Sequence, residues 1–178
     1  MQDLGAKAER GFSYLLILFF VAITGVGLAS ASQVWVTAVQ RDREAKLLFI
    51  GNELRRAIGR YYEATPGAFK SYPPTLEALL KDPRFPDTRR YLREIHVDPM
   101  SSSGDWVLIK SPQGGIIGVA SASEDAPLKR SGFIGADRVF EEQAARLKSK
   151  MRYRDWEFVY APGHNHMPLN AFNLGGGA

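Results

Sequence analysis

The sequence predicts an α+β protein in which a long N-terminal helix packs on a small antiparallel sheet. Three observations predict it. An uncharged, mostly apolar run, FSYLLILFFVAITGVGLASA, fills residues 12–31. Apolar residues then recur at steps near three and four from Val36 to Tyr61, ahead of Pro66 and Gly67. Farther on, two β-prone runs flank a Pro/Gly turn, and a third sets Trp156, Phe158 and Tyr160 at alternate positions.

The first run sets the character of the chain. It carries no Asp, Glu, Lys, Arg or His. A bilayer core about 30 Å thick needs about 20 apolar residues of helix, and residues 12–31 fit that length. A helix can span alone because its backbone groups satisfy one another. Gly25 with Ala29, and Gly27 with Ala31, are small-xxx-small pairs that let a second helix approach closely. Small residues are also common in membrane helices without such a role. Residues 1–11 form a short charged leader with Lys7 and Arg10.

Residues 32–64 continue the helix in amphipathic form. Val36, Val39, Leu47, Ile50, Leu54, Ile58 and Tyr61 make one face, with a looser stretch around Arg43. Arg55, Arg56 and Arg60 fall on the other faces. Pro66 and Gly67 end the helix. From residue 12 to 64 it would run roughly 80 Å at about 1.5 Å per residue. Lipid accounts for less than half of that, so the remainder must lie against the domain that follows.

Residues 65–162 read as that domain. Thr75 is placed to N-cap a short helix whose Leu76, Leu79 and Leu80 form an apolar face, stopped by Pro83. A second helical piece is expected over Thr88–Glu94, after a loop from Arg84. Asp98-Pro99 and a Ser/Gly cluster mark a turn region. Strands are expected over Asp105–Lys110, Ile116–Ser121 and Asp155–Tyr160, with a turn at Pro112–Gly115. Residues Arg138–Lys150 read as helix or as a long excursion. The block 163–178 ends in three glycines and is expected to be a flexible tail.

Composition narrows the function. At 178 residues one domain is the natural expectation, and about 120–140 residues remain for one modest core. There is no Cys, hence no disulfide, thiolate nucleophile or thiolate zinc ligand. The net charge of +4 is mild, and Arg41, Arg43 and Lys46 interleave with Asp42 and Glu44. No basic face with interleaved aromatics is present, which argues against nucleic acid as a partner.

Leader, Gly11-Phe12 junction, apolar helix and following domain together resemble a type IV pilin-like protein, specifically a pseudopilin of the type II secretion kind. The stretch DPMSSSGDW followed by VLIKSPQGGIIGVAS is similar to the turn and first sheet strands of that family. The resemblance covers residues 1–64 and the globular part in outline. It implies cleavage by a prepilin peptidase between Gly11 and Phe12, and N-methylation of Phe12. It implies assembly by helix packing into a short fibre with other pseudopilins, on an inner-membrane secretion platform. The chain would be single-pass in the bacterial inner membrane with its globular part in the periplasm, without a cofactor and not an enzyme.

One position departs from the family. Its members usually carry Glu as the fifth residue after the cut, and here that place holds Leu16. An unpartnered acid in lipid costs about 2.5–3.5 kcal/mol on insertion scales. A subunit with nothing stacked above it has no need of that acid, and the family's tip subunit lacks it too. Leu16 therefore points to a minor, initiating or tip-like role, although known tip subunits carry a larger globular part. The positive-inside rule does not favour the family's orientation, because Arg41, Arg43 and Lys46 on the far side match Lys7, Arg10 and the amino terminus in the leader.

Two other readings of the first helix stay open. Ala29-Ser30-Ala31 matches a small-residue secretory cleavage site that would release a chain starting at Ser32. An uncut anchor would tether a periplasmic binding or sensor domain. No catalytic set emerges in either. Asp98, Asp105, Glu124 and Asp125 do not form the dense oxygen cluster that calcium needs, and read as solvated turn carboxylates. His164 and His166 lack a neighbouring third ligand. The GGIIG run has no βαβ unit around it and reads as a hairpin turn. Trp106 and Trp156 read as sheet or core residues.

Overall fold

The computed structural model describes residues 5–67, 69–147 and 150–163, with side chains at all of these except 5–12, 25–34 and 136. The architecture is α+β, with a three-stranded antiparallel sheet and a long N-terminal helix. The chain divides into two compact units, residues 1–40 and 41–178. Helix α1 is Gly5–Glu63. No Pro occurs in this stretch, so nothing removes a backbone donor before Pro66.

The first unit consists of the described part of α1 up to Gln40. No helix among the described residues is long and apolar enough to cross a membrane. Of the apolar run at 12–31, side chains are described from Ser13 to Thr24, fewer than the about 20 residues that a span requires.

The second unit is built around the last five turns of α1. Leu47, Leu54, Ala57, Ile58 and Tyr61 are buried. Val36 and Val39, expected on the same face, are exposed instead: the core begins at Glu44 and Leu47, so the periodicity overshot it by two turns. Arg55, expected on an outer face, is half-buried, with Asn52 and Asp137 as partners.

The helix end is tied down by cations. Lys70 Nζ donates to the Glu63 carbonyl at 2.7 Å, and Arg84 Nη2 to the Tyr61 carbonyl at 2.9 Å. Both satisfy carbonyls that the last turn leaves open, where the helix dipole favours positive charge.

Strands β1 (Trp106–Lys110), β2 (Ile116–Ser121) and β3 (Glu157–Val159) lie in the order β1-β2-β3, all antiparallel. The central strand β2 is buried along its whole length. The GGIIG run does form the hairpin turn: the Ser111 N–H bonds the Gly115 carbonyl at 2.9 Å, and Gly114 and Gly115 hold φ of 83° and 86°. β3 is shorter than the sequence suggests, and Trp156 precedes it. The alternation is real nonetheless, with Trp156 and Phe158 fully buried and Tyr160 bonding the Ile117 carbonyl through its N–H at 2.9 Å.

Two glycines set the distance between α1 and the side chains of β3 and the residue that follows it. A Cβ on Gly51 would come within 2.4 Å of the Phe158 ring, and one on Gly59 within 2.7 Å of the Tyr160 ring. Eight residues apart, they share a helix face, and the rings sit where side chains would otherwise be.

Helix α2 is a single turn, Glu77–Leu80. Its N-cap is Leu76, without a side-chain cap, and not Thr75; the Thr75 side chain bonds the Glu77 carboxylate and lowers its pKa. Thr88–Glu94 is not helical. Its backbone pairs elsewhere: the Tyr91 and Leu92 N–H groups both reach the Leu79 carbonyl, and the Arg89 carbonyl takes the Asp82 N–H. Helix α3, Arg138–Leu147, buries Val139, Phe140 and Ala144 against the sheet core.

Asp98 is also a correction. It is buried, not solvated, and accepts the Met100 N–H, the Ser121 hydroxyl and the Ala122 N–H at 2.9, 2.6 and 3.0 Å. It fastens the turn before β1 to the end of β2.

Candidate functional site

Two features of α1 stand out, one in each unit. In the first unit, every large apolar side chain from Tyr14 to Ile23 is 47–65% exposed. These residues follow one another without a polar face, so the helix is apolar on all sides. Since about half of each side chain is already covered by the helix, covering the rest is worth about half of the 1.5–3 kcal/mol that full burial gives, on the order of 10 kcal/mol for the nine. That is comparable with the net stability of a typical domain, about 5–15 kcal/mol. Exposed apolar surface of this extent is the kind that marks an interaction site. Thr24 fits such a setting, because its hydroxyl donates to the Phe20 carbonyl at 2.7 Å and needs no water.

Leu16 lies within this surface, 47% exposed. Gly11, Phe12, Gly25, Gly27, Ala29 and Ala31 belong to the α1 backbone, but their surroundings fall outside the described residues. His164 and His166 fall outside them as well. Among the described residues no group of three or more His, Asp or Glu side chains is arranged to hold a metal ion.

In the second unit the notable group is Glu44, which is 3% exposed. Its Oε1 accepts three hydrogen bonds: from the Leu128 N–H at 2.6 Å, the Lys129 N–H at 3.2 Å and the Tyr153 hydroxyl at 2.8 Å. Two successive backbone N–H groups cradling an anion form a nest. The anion here is the chain's own carboxylate, and it pins the loop between β2 and α3 to the helix. A cleft of about 550 Å³ opens beside it, with Arg41, Lys129 and Arg130 on its walls.

Glu44 was missed because a charge on the apolar stripe reads as an interruption. The signal was present: stepping back three residues from Leu47, along a face that continues to Leu54 and Ile58, lands on Glu44. Glu44→Ala should strand two backbone donors and a buried phenol, at about 1–3 kcal/mol for each group left unpaired. Hydrogen exchange at the Leu128 and Lys129 amides should accelerate, and Glu44→Gln, which keeps an acceptor oxygen, should have the smaller effect. Unchanged exchange at those two amides would show that the latch carries no load.

Comparison with protein-family models, with curated proteins and with solved structures finds no match to this chain.

Proposed function

We propose that this chain is a non-enzymatic, membrane-anchored subunit of a pseudopilin-like fibre of the type II secretion or type IV pilus kind. The observation that carries the reading is the helix surface from Tyr14 to Ile23, apolar on every side and uncovered. A single helix, α1, carries that surface and also the buried face from Leu47 to Tyr61 of an α+β unit. This division of one helix is what a pilin-like subunit requires: one part to store in lipid and later bury among neighbouring helices, another to carry a globular head.

On this reading residues 12–31 hold the subunit in the inner membrane before assembly, and the globular unit faces the periplasm. Extraction from lipid exchanges lipid contacts for helix contacts, so the apolar surface is covered in both states. The partners are other pilin-like subunits, the prepilin peptidase and the inner-membrane platform. Leu16 offers no carboxylate to a neighbour's amino terminus, which suits a minor or tip-like place.

Intact-mass measurement and N-terminal sequencing of the membrane-extracted protein test the reading. The expected product begins at a methylated Phe12, and Gly11→Ala should abolish its formation. A product beginning at Ser32 would mean secretory cleavage and release. A chain still beginning at Met1 would mean a plain tether for a binding or sensor domain. Either of these overturns the fibre-subunit reading.

A further inference from the structure

The cleft of about 550 Å³ beside Glu44 is lined by three cations, Arg41 of α1 and Lys129 and Arg130 of the loop between β2 and α3. Its lining also includes the apolar side chains of Ala45, Leu48 and Leu128. Arg41, Ala45 and Leu48 are spaced by four and three residues, which sets them on one face of the helix. Leu128 is 43% exposed.

The cations are uncancelled. Among the described residues no carboxylate forms an ion pair with Arg41, Lys129 or Arg130. The Lys129 ammonium rests 5.0 Å over the Phe133 ring, a contact that leaves its charge in place. One acid, Glu44, borders the cleft, and its Oε1 already accepts the Leu128 and Lys129 N–H groups and the Tyr153 hydroxyl. Three positive charges therefore stand against one negative. The same latch fixes the loop that carries Lys129 and Arg130 to the helix that carries Arg41, so a ligand finds the cations already ordered.

Cations beside an apolar floor suit an amphiphile with an anionic head. A compact anion such as inorganic phosphate would leave Leu48 and Leu128 uncovered. A phosphodiester on a glycerol backbone would use both parts, its oxygens on the guanidinium groups and its methylenes on the leucines. The chain also brings such a ligand near. Trp35 of α1 is 74% exposed, and Trp is enriched where a membrane meets water. Six residues separate it from Arg41, about 9 Å of helix at 1.5 Å per residue, comparable with a Debye length of about 8–10 Å.

We infer that this cleft binds the phosphate of an anionic phospholipid, held by Arg41, Lys129 and Arg130, with the glycerol and first methylenes against Leu48 and Leu128. The inference rests on the membrane-anchored reading of residues 12–31, because that anchor brings the cleft to a lipid surface.

Native mass spectrometry of the full-length chain in neutral detergent micelles, titrated with phosphatidylglycerol or with phosphatidylcholine, reads the binding. Phosphatidylglycerol, with its net negative headgroup, should be retained in preference to zwitterionic phosphatidylcholine. Arg41→Gln combined with Arg130→Gln should weaken phosphatidylglycerol binding on the order of twentyfold, at about fivefold for each cation removed. Arg43→Gln combined with Lys46→Gln removes the same charge from exposed positions of α1 outside the cleft, and should leave the affinity nearly unchanged.

Equal losses in the two double variants would mean diffuse attraction to charge and would overturn the inference, as would equal retention of the two lipids. Displacement of the lipid by inorganic phosphate would make the cleft a site for free phosphate, and displacement by a glutamate-rich peptide would make it a dock for an acidic protein segment. Either result overturns the inference. Resistance to alkaline extraction from phosphatidylcholine vesicles reports the anchor separately. A chain that stays in those vesicles but shows no preference for phosphatidylglycerol overturns this inference alone. A chain released from them overturns the anchored reading, and the inference with it.

Discussion

Trp156→Ala is expected to destabilise the second unit by about 3–5 kcal/mol, the range for deleting a large buried aromatic side chain. Trp156 has no exposed surface. Its ring stacks on Phe140 at a centroid distance of 5.6 Å and meets Phe133 and Tyr153 edge-on at 5.5 and 5.4 Å. Phe140 in turn meets Phe158 at 5.3 Å. One substitution therefore removes three aromatic contacts, each worth about 0.5–1.5 kcal/mol beyond area burial. It also opens a cavity where α3, the loop before it and the residues leading into β3 converge.

Trp156→Phe should cost much less. Among the described residues the buried indole Nε1 has no hydrogen-bond partner, so Phe gives up no bond there. Urea unfolding followed by circular dichroism separates the two variants. An unchanged midpoint in Trp156→Ala would mean that the aromatic cluster is not the centre of the unit.

What could be read from the sequence divides along physical lines. Long-period apolar signals were legible. The face from Leu47 to Tyr61, the hairpin at Ser111–Gly115 and the alternation through Phe158 all depend on burial at a fixed spacing, and burial leaves its mark on residue type. Buried carboxylates were not legible, because local sequence gives an acid no signature of its distant partners. Glu44 is held by donors 84 to 109 residues away, and Asp98 by Ser121 and Ala122.

Short elements failed for a related reason. Over Thr88–Glu94 the local propensity allowed a helix, yet Tyr91 and Leu92 found the Leu79 carbonyl, and Asp82 found Arg89. Tertiary pairing outweighed a preference worth only tenths of a kcal/mol per residue. At α2, Thr75 had the residue type for a cap but sits one position too early, and its side chain serves Glu77 instead. In the candidate site, the apolar surface at Tyr14–Ile23 was legible, whereas the Glu44 latch needed the third dimension.

The buried pair of Asp82 and Arg84 should give the second large effect, and it carries a pH signature. The Asp82 side chain has no exposed surface. Its oxygens accept the Arg84 backbone N–H at 3.0 Å, Arg84 Nε at 2.9 Å, Arg84 Nη2 at 2.6 Å and the Tyr91 hydroxyl at 2.9 Å. Arg84 also reaches the Tyr61 carbonyl and, at 2.5 Å, the Thr65 hydroxyl, and its guanidinium lies 3.6 Å over the Tyr61 ring. The pair thus joins the end of α1 to the segment after α2.

Arg84→Met leaves the buried carboxylate without its partner, and breaking such a pair costs about 3–5 kcal/mol. Arg84→Lys should recover little, since an ammonium cannot reproduce the planar fork that serves Asp82, Tyr61 and Thr65 together. Burial by itself pushes the Asp82 carboxyl up, but hydrogen bonds from Arg84 and Tyr91 outweigh it and hold the group below the usual carboxylate range.

A depressed folded pKa means that the pair's contribution is full above the ordinary Asp value of about 3.9 and is lost as pH falls through the folded value. Arg84→Met removes the guanidinium but leaves the residue-84 backbone N–H and the Tyr91 hydroxyl on Asp82, so the carboxyl rises from its depressed value and its protonation relieves part of the penalty. The stability gap between wild type and variant should therefore be widest near neutral pH and narrow as pH falls below about 4. Urea midpoints taken across that interval measure it directly. A gap independent of pH would mean that Arg84 acts through its contacts with Tyr61 and Thr65, and not through the charge on Asp82.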